Sequence, residues 1–479
     1  MAEETSDNIS IHSFKHSKKI LGSSRVCNYI NDYLNTLEAK SVITEHEYID
    51  KDFIIDYSNF YSRAFKKINK TTTRYHFFNK EITRDEFFDG LTSDQNKWLQ
   101  EKLQDSYLGF VVKKPIESPN SLRQKLVGKT LLETYDKKVG TDERIYVKNS
   151  YEVSLCGIKL IINSLPYQQH DYGVGACATT ACWVTLFPLS RLFGSQTLSP
   201  SEVTEKSVFF PSDCRNFPSD GLTIHQMKTY FNSMGLETEV VKPNYIEDDP
   251  SRDAVADIVK AYTQINIPII AGLAIVPADF DFSTNNCKEG DVYETFDHHA
   301  VVISGYRHNK RKVKTLYVHD DGFGPYCFIE PIDNFTKWKC RWEEYNDCIF
   351  WVTRLLIPVY PKIRLNISFI YAVYQHKRSE LEMDIRLKKQ SKKITIEFLL
   401  FDIKTYKNSL LDKNLEFIVE IKKDRGIDFT KKLKIDFLTK SLPRFIWVIR
   451  YNDDGVPKHD AIYDGTDTLP NLIGHIEFS

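Results

Sequence analysis

Residues 168–183 read QQHDYGVGACATTACW. Gly173 and Gly175 precede Cys177, and the small residues Ala176, Ala178 and Ala181 surround it. Glycines allow a tight backbone just ahead of a helix, alanines let the helix lie close against a sheet, and Trp183 gives it a large buried anchor. A helix starting near Cys177 is expected. A cysteine there has two readings. Cysteine is among the most buried residue types, so a lone one on a helix is usually core. A nucleophile needs thiolate character, which a helix N-terminus and a nearby imidazole provide. The first requirement is met locally, and the second must come from elsewhere in the chain.

The segment DHHAVVISGY, Asp297 to Tyr306, supplies a histidine at the head of a strand. Strand alternation puts His299, Val301 and Ile303 on one face and His298 on the other. The next strand lies in TLYVHDDGFGPY and ends in Asp320 and Asp321 before a glycine-rich turn. Neighbouring strands set a carboxylate beside the imidazole, which orients the base and fixes its tautomer. Asp321 is the rival of Asp320 by the same alternation, as His298 is of His299. His319 flanks the turn, and Cys182 points away from the face of Cys177 and reads as core.

With its histidine strand HAVVISGY, its VHDDGFG turn and the order Gln, Cys, His, Asp, the chain resembles the papain-like cysteine peptidases. The nearest likeness is to the bacteriocin-leader-processing (double-glycine peptidase) branch, which often uses Asp in the third place. Gly221-Leu222-Thr223 is similar to a Gly-x-[Ser/Thr] helix start of that family. The resemblance covers about residues 165–330. It implies an α+β fold in which a helix carrying the cysteine packs on an antiparallel sheet carrying the histidine and aspartate. It implies that Cys177 is the nucleophile, His299 the base and acid, and Asp320 the orienting group. Gln169 or Gln168 would donate to the oxyanion together with the backbone N–H of Cys177. The implied reaction is thiolate attack on a peptide or isopeptide bond, a thioester, then water. The same triad serves an acyltransferase or amidase, and an inactive module of this fold would bind instead of cut. The sequence departs from the family after Cys177, where Ala178-Thr179-Thr180-Ala181-Cys182-Trp183 replaces the usual Gly or Ser-Cys-Trp continuation. The gap from Gln169 to Cys177 is longer than usual. The glutamine assignment therefore stays open, with His170 and Asp171 as other residues of that loop near the site.

Bulk composition narrows the remaining classes. The 479 residues carry a formal net charge of -1, which gives no electrostatic bias toward nucleic acid or an anionic membrane. The expected partner is a protein or peptide substrate. The first ten residues, MAEETSDNIS, have neither the basic nor the apolar region of a signal peptide. The apolar run Ile267 to Val276 is too short to span a bilayer and reads as a buried strand. Nine scattered cysteines without a C-x-x-C argue against a disulfide framework and a zinc ribbon. A cytoplasmic protein is expected, and abundant Lys, Ile and Asn point to an AT-rich, bacterial source. Adjacent His298 and His299 point to opposite faces of a strand, so no metal is expected, and no cofactor motif is present. Gly128-Lys129-Thr130 is not a phosphate loop, because Arg123 stands where the leading glycine belongs. The run Lys388 to Lys393 reads as a solvated face and Asn452 to Gly455 as a hairpin turn. Oligomeric state is not legible.

Four regions are expected: 1–105, mostly helical, with 1–24 frayed; 106–164, a strand-rich lead-in; 165–360, the catalytic region; and 361–479, β-rich. Helices are expected from Val26 to Leu37, across Phe53 to Phe65, after a capping box at Thr92 to Gln95, and near 224–234 and 252–264. Strands are expected at Tyr107 to Val112, Glu152 to Asn163, Ile269 to Ile275, His299 to Tyr306, Thr315 to Asp320, Leu415 to Ile421, and in a closing pair at Phe445 to Arg450 and Ala461 to Tyr463. The flanking regions are expected to narrow the cleft for one intracellular protein target.

Overall fold

The first five strands pair in chain order: β1 (Ile9–Ser13), β2 (Ser41–Tyr48), β3 (Thr72–Phe78), β4 (Tyr107–Ser118) and β5 (Ser121–Leu132). The computed structural model describes residues 8–16, 20–92, 96–118, 121–209, 221–243, 253–280, 296–309, 312–332, 334–388, 394–411 and 435–478. Packed with this antiparallel sheet are α1 (Arg25–Thr36), α2 (Lys51–Asn59), α3 (Arg84–Thr92) and α4 (Asn96–Ser106). Helix α1 starts at Ser24, whose side chain accepts the Cys27 N–H, and it buries Val26, Ile30, Tyr33 and Leu34 at helical spacing. Helices outweigh strands over 1–105, as expected, but three strands of this sheet also lie there, and β1 corrects the expectation of a frayed 1–24 over residues 9–13. Polar residues hid these strands. Thr44, Arg74 and His76 are buried among the apolar positions of β2 and β3, with Glu45 accepting from both Arg74 and His76.

The lead-in is shared out. Strands β4 and β5 finish the first sheet, whereas β6 (Lys138–Val139) and β7 (Asp142–Tyr146) join the second. The run at 152–163 is a hairpin, β8 (Asn149–Leu155) with β9 (Ile158–Ser164). Its turn residues Cys156 and Gly157 both have positive φ, 49° and 87°, the backbone a two-residue hairpin loop demands.

The second sheet has nine strands. Its spine runs β10 (Glu237–Val241), β16 (Cys348–Val359), β11 (Ile269–Pro277), β12 (Asp297–Asn309), β13 (Lys312–Asp320), β14 (Gly324–Phe328). Strand β15 (Lys337–Lys339) pairs with β16, and β7 pairs with β12. Helix α5 (Cys177–Phe193) packs on β12 and β11, followed by α6 (Pro200–Ser207), α7 (Ile224–Ser233) and α8 (Ala254–Thr263). All residues from Ala178 to Leu189 are buried, as befits a helix enclosed on every side. A capping box of Thr223 and Gln226 opens α7.

The tail is less purely β than expected. It holds the 22-residue α9 (Ile367–Lys388) and α10 (Ile403–Leu411) beside a four-stranded sheet. The sheet order is β17 (Ile394–Asp402), β18 (Phe445–Asp453), β19 (Val456–Asp464), β20 (Leu472–Glu477). The β18–β19 turn is the expected hairpin, with Asp454 and Gly455 at positive φ. The strand reading at Leu415 to Ile421 lies outside the described residues, as do Ser93 to Gln95 and 389–393. The chain is thus mixed α+β with several antiparallel sheets. One continuous apolar cluster links α1, α5, the second sheet and β18, through residues such as Leu34, Trp183, Ile303 and Trp447. Among the described residues no helix is long and apolar enough to cross a membrane.

Candidate active site

The segment leading to α5 is pinned to the first sheet. Tyr167 exchanges backbone hydrogen bonds with Thr130 of β5, at 2.8 and 3.0 Å, and the Gln169 N–H donates to Val127 O at 3.0 Å. The chain then turns around Asp171. Its Oδ1 accepts the N–H groups of Gly173, Val174 and Gly175, at 2.8, 2.8 and 2.9 Å. Its Oδ2 accepts the Tyr61 hydroxyl at 2.7 Å. Gly173 is needed for closeness, since a Cβ there would stand 2.7 Å from the Phe60 ring. Its φ is not in the left-handed region, so space and not backbone freedom selects the glycine. The turn delivers Ala176 as N-cap and Cys177 as the first residue of α5. No side chain caps this helix, which leaves N–H groups at its start facing the site beside a half-buried thiol.

Across from Cys177 stands His299 on β12. His298 is exposed and His299 buried, as strand alternation requires. His299 Nε2 lies 3.0 Å from Asp320 Oδ1, and Cys177 is close enough to the ring to help raise its pKa. With Nε2 engaged by the carboxylate, Nδ1 is the nitrogen left for the thiol. Asp320 is itself fixed: its Oδ1 accepts the Gly322 N–H at 3.0 Å and its Oδ2 the Trp342 indole N–H at 3.3 Å. Trp342 packs edge-on against His299, with ring centres 4.6 Å apart. Arg25 of α1 donates to Gly322 O at 3.0 Å and to Glu344 at 2.8 Å, and it lies over the Trp342 ring. Burial alone would lower the His299 pKa. Asp320 first, then Cys177 and Asp321, more than offset this and hold it well above the usual histidine value. Burial would raise the Asp320 pKa. The paired His299, the Gly322 N–H and the Arg25 charge more than offset this and hold it below the usual range.

Asp321 lies just beyond, with Oδ1 3.6 Å from His299 Nε2 and Oδ2 2.7 Å from His170 Nδ1. Gln169 is turned elsewhere. Gln169 donates from Nε2 to Ser118 Oγ at 2.7 Å and accepts the Val127 N–H at 3.2 Å. Gln168 accepts from Lys114 at 3.1 Å and lines a pocket of about 10 Å³ with His319, Asp321 and Thr180, its Nε2 without a hydrogen-bond partner among the described residues. The structure therefore brings Cys177, His299 and Asp320 together and directs Gln169 to the β4–β5 hairpin. His319 is buried, with Nδ1 3.2 Å from Pro166 O, and burial pushes its pKa down to about 3. Cys182 is fully buried and burial pushes its thiol pKa up.

Donor atoms of His299, Asp320 and Asp321 all fall within 4.8 Å of one another, the number of protein ligands in an open zinc site. His298 and His319 do not join them. Two clefts lined by other residues than Cys177 have volumes of about 780 Å³, around Asp257, Arg378 and Glu397, and about 610 Å³, around Tyr451, His459 and His475. The residues that sequence reasoning did not place are Arg25, Tyr61 and Trp342. Each reaches the site over 100 or more positions, or from an irregular segment, and no local pattern marks it. No protein-family model matches the sequence, and no curated protein matches it.

Proposed function

We propose that the chain is a thiol hydrolase with a papain-like core that cleaves a peptide or isopeptide bond. The observation that supports this best is the His299–Asp320 pair at 3.0 Å with Cys177 beside it at the uncapped start of a buried helix. With its proton resting on His299 Nδ1, the Cys177 thiolate attacks the carbonyl carbon. The oxyanion meets N–H groups at the start of α5, that of Cys177 among them. His299 returns the proton to the departing amine and a thioester remains. Water, deprotonated by the same ring, then attacks the thioester and frees the acid and the thiol. Asp320 holds the ring in register throughout. The oxyanion role given to Gln169 passes to these backbone donors, because the Gln169 amide is occupied by Ser118 and Val127.

The N-terminal region acts as a buttress for this machinery. Tyr61 braces the Asp171 turn, Arg25 braces the Gly322 turn and Lys114 holds Gln168. The free thiols of Cys27, Cys182 and Cys327 suit a reducing compartment, which supports a cytoplasmic setting and an intracellular protein target. The test is the rate of Cys177 alkylation by iodoacetamide from pH 5 to 9, read by peptide mass spectrometry, with His299→Ala alongside. A plateau already reached by pH 7, and lost in the variant, supports the thiolate–imidazolium pair. A rate that still climbs above pH 8 in both proteins overturns it. Products formed from a peptide library then separate hydrolysis from transfer to an amine.

A further inference from the structure

The site holds more charge than a triad requires. Asp320 and Asp321 are adjacent and both buried, 6% and 4% exposed. Asp320 is well supplied with donors: the His299 ring, the Gly322 N–H and the Trp342 indole. Among the described residues Asp321 has no peptide or indole donor on its carboxylate. Its ion-pair contacts among the described residues are two imidazoles, His170 at 2.7 Å and His299 at 3.6 Å. A buried carboxylate needs a counter-charge, and the one nearest its Oδ2 is His170.

His299 Nε2 carries a single proton and can give it to one carboxylate with good geometry. If Asp321 moved in from 3.6 Å, the ring would turn toward it and draw Nδ1 off the thiol. We propose that His170, as an imidazolium, holds Asp321 back from His299 and so leaves Asp320 the sole acceptor of the Nε2 proton. His170 is then a positioning residue that acts through Asp321. The lengthened loop between Gln169 and Cys177, folded around Asp171, is what puts it there. Burial would lower the His170 pKa, but Asp321, and more weakly Asp171, outweigh burial and the repulsion from His299, so the net shift is upward. Its consequence for turnover rests on the thiol-hydrolase reading. Its geometry does not.

The test uses the full-length chain labelled with ¹⁵N-histidine. It follows the His299 ring resonances by NMR and, separately, the alkylation rate of Cys177 at pH 6.5. His170→Ala is expected to shift the His299 Nε2 signal and to slow alkylation by about tenfold, one unit of thiolate availability. Adding Asp321→Asn to that variant is expected to restore both, the rate to within about threefold. Asp321→Asn alone keeps the side-chain shape and replaces the competing charged acceptor with a weaker neutral one, so it is expected to leave the His299 signal and the rate near those of the parent. The proposal is overturned if His170→Ala leaves the His299 signal unmoved, or if Asp321→Asn alone does the same damage as His170→Ala. Where His170→Ala does not fold, His170→Gln takes its place. If Cys177 alkylates as an ordinary thiol while the His299 signal still follows these variants, the hydrolase reading fails and the positioning of His299 by His170 and Asp321 stands.

Discussion

Replacing Asp171 by alanine should open the turn that presents Cys177. The carboxylate is 6% exposed and accepts three peptide N–H groups and the Tyr61 hydroxyl. Hydrogen bonds to a charged acceptor contribute about 1.5–3 kcal/mol each. Three backbone bonds at the lower figure give about 4.5 kcal/mol, and relaxation of the turn and entry of water recover roughly a third of it. The expected cost is about 3 kcal/mol of local stability, or about 150-fold in the opening equilibrium. Hydrogen exchange by mass spectrometry on a peptide spanning 168–177 reads this directly. Protection of Gly173 to Gly175 should fall by roughly two orders of magnitude, while protection in β18 and β19 stays as in the parent. Asp171→Asn keeps an oxygen for the three N–H groups and should lose about a third as much. Exchange in Asp171→Ala within about fivefold of the parent would refute the idea that this carboxylate shapes the turn.

Other expectations follow from the same geometry. His299→Ala should cut Cys177 alkylation at pH 6.5 by at least about tenfold and abolish measurable hydrolysis, with the melting temperature little changed. Tyr61→Phe removes one bond to Asp171 and should cost about 1–2 kcal/mol of protection in the 168–177 peptide, without touching the His299 ring signals. Asp460→Ala strands Arg450, which donates twice at 2.7 Å, and the buried Tyr406 hydroxyl; about 3–5 kcal/mol should be lost, seen as early exchange of β18 and β19. Stability should also fall in mild acid. Burial holds the His76 pKa down to about 4 and that of His319 to about 3, so between pH 6.5 and these values the unfolded chain binds protons the folded chain refuses. Each contributes up to about 3 kcal/mol that is present above pH 6.5 and lost as pH falls toward 4. His299, with its pKa raised, works the other way: its contribution is full below pH 6.5 and lost as pH rises through its folded value. His319→Gln should flatten the acid side of a urea-midpoint profile, and an unchanged slope would count against the buried neutral ring.

Short-range signals carried much of the fold. The start of α5 followed from small residues around Cys177, α7 from Thr223 at its N-cap and Gly235 at its end, and β11 from the unbroken run Ile269 to Ile275. These depend on neighbours a few positions apart, where steric and capping preferences act. Strands β2 and β3 were obscured because Thr44, Arg74 and His76 are buried and satisfied across the sheet, which breaks the simple alternation. Helix α9 did carry a signal, with Ile367, Ile370, Tyr371 and Tyr374 buried at helical spacing. It was outweighed by the strands around it.

For the site, the sequence by itself determined which residue types could meet: a cysteine at a helix start, a histidine heading a strand, and paired aspartates ending the next. Alternation along a strand is local geometry, so the choice of His299 over His298 needed no tertiary information. Only the tertiary structure decided between Asp320 and Asp321. Both end the same strand, and the choice is made by distance to one ring nitrogen, by the Trp342 indole and by Arg25. It also turned Gln169 toward Ser118 and placed His170 against Asp321, because the path of a loop is set by what it packs on. Hydrogen bonds between residues 110 or more positions apart, such as Tyr61 to Asp171, depend on how whole sheets dock, and a single sequence carries no local trace of them.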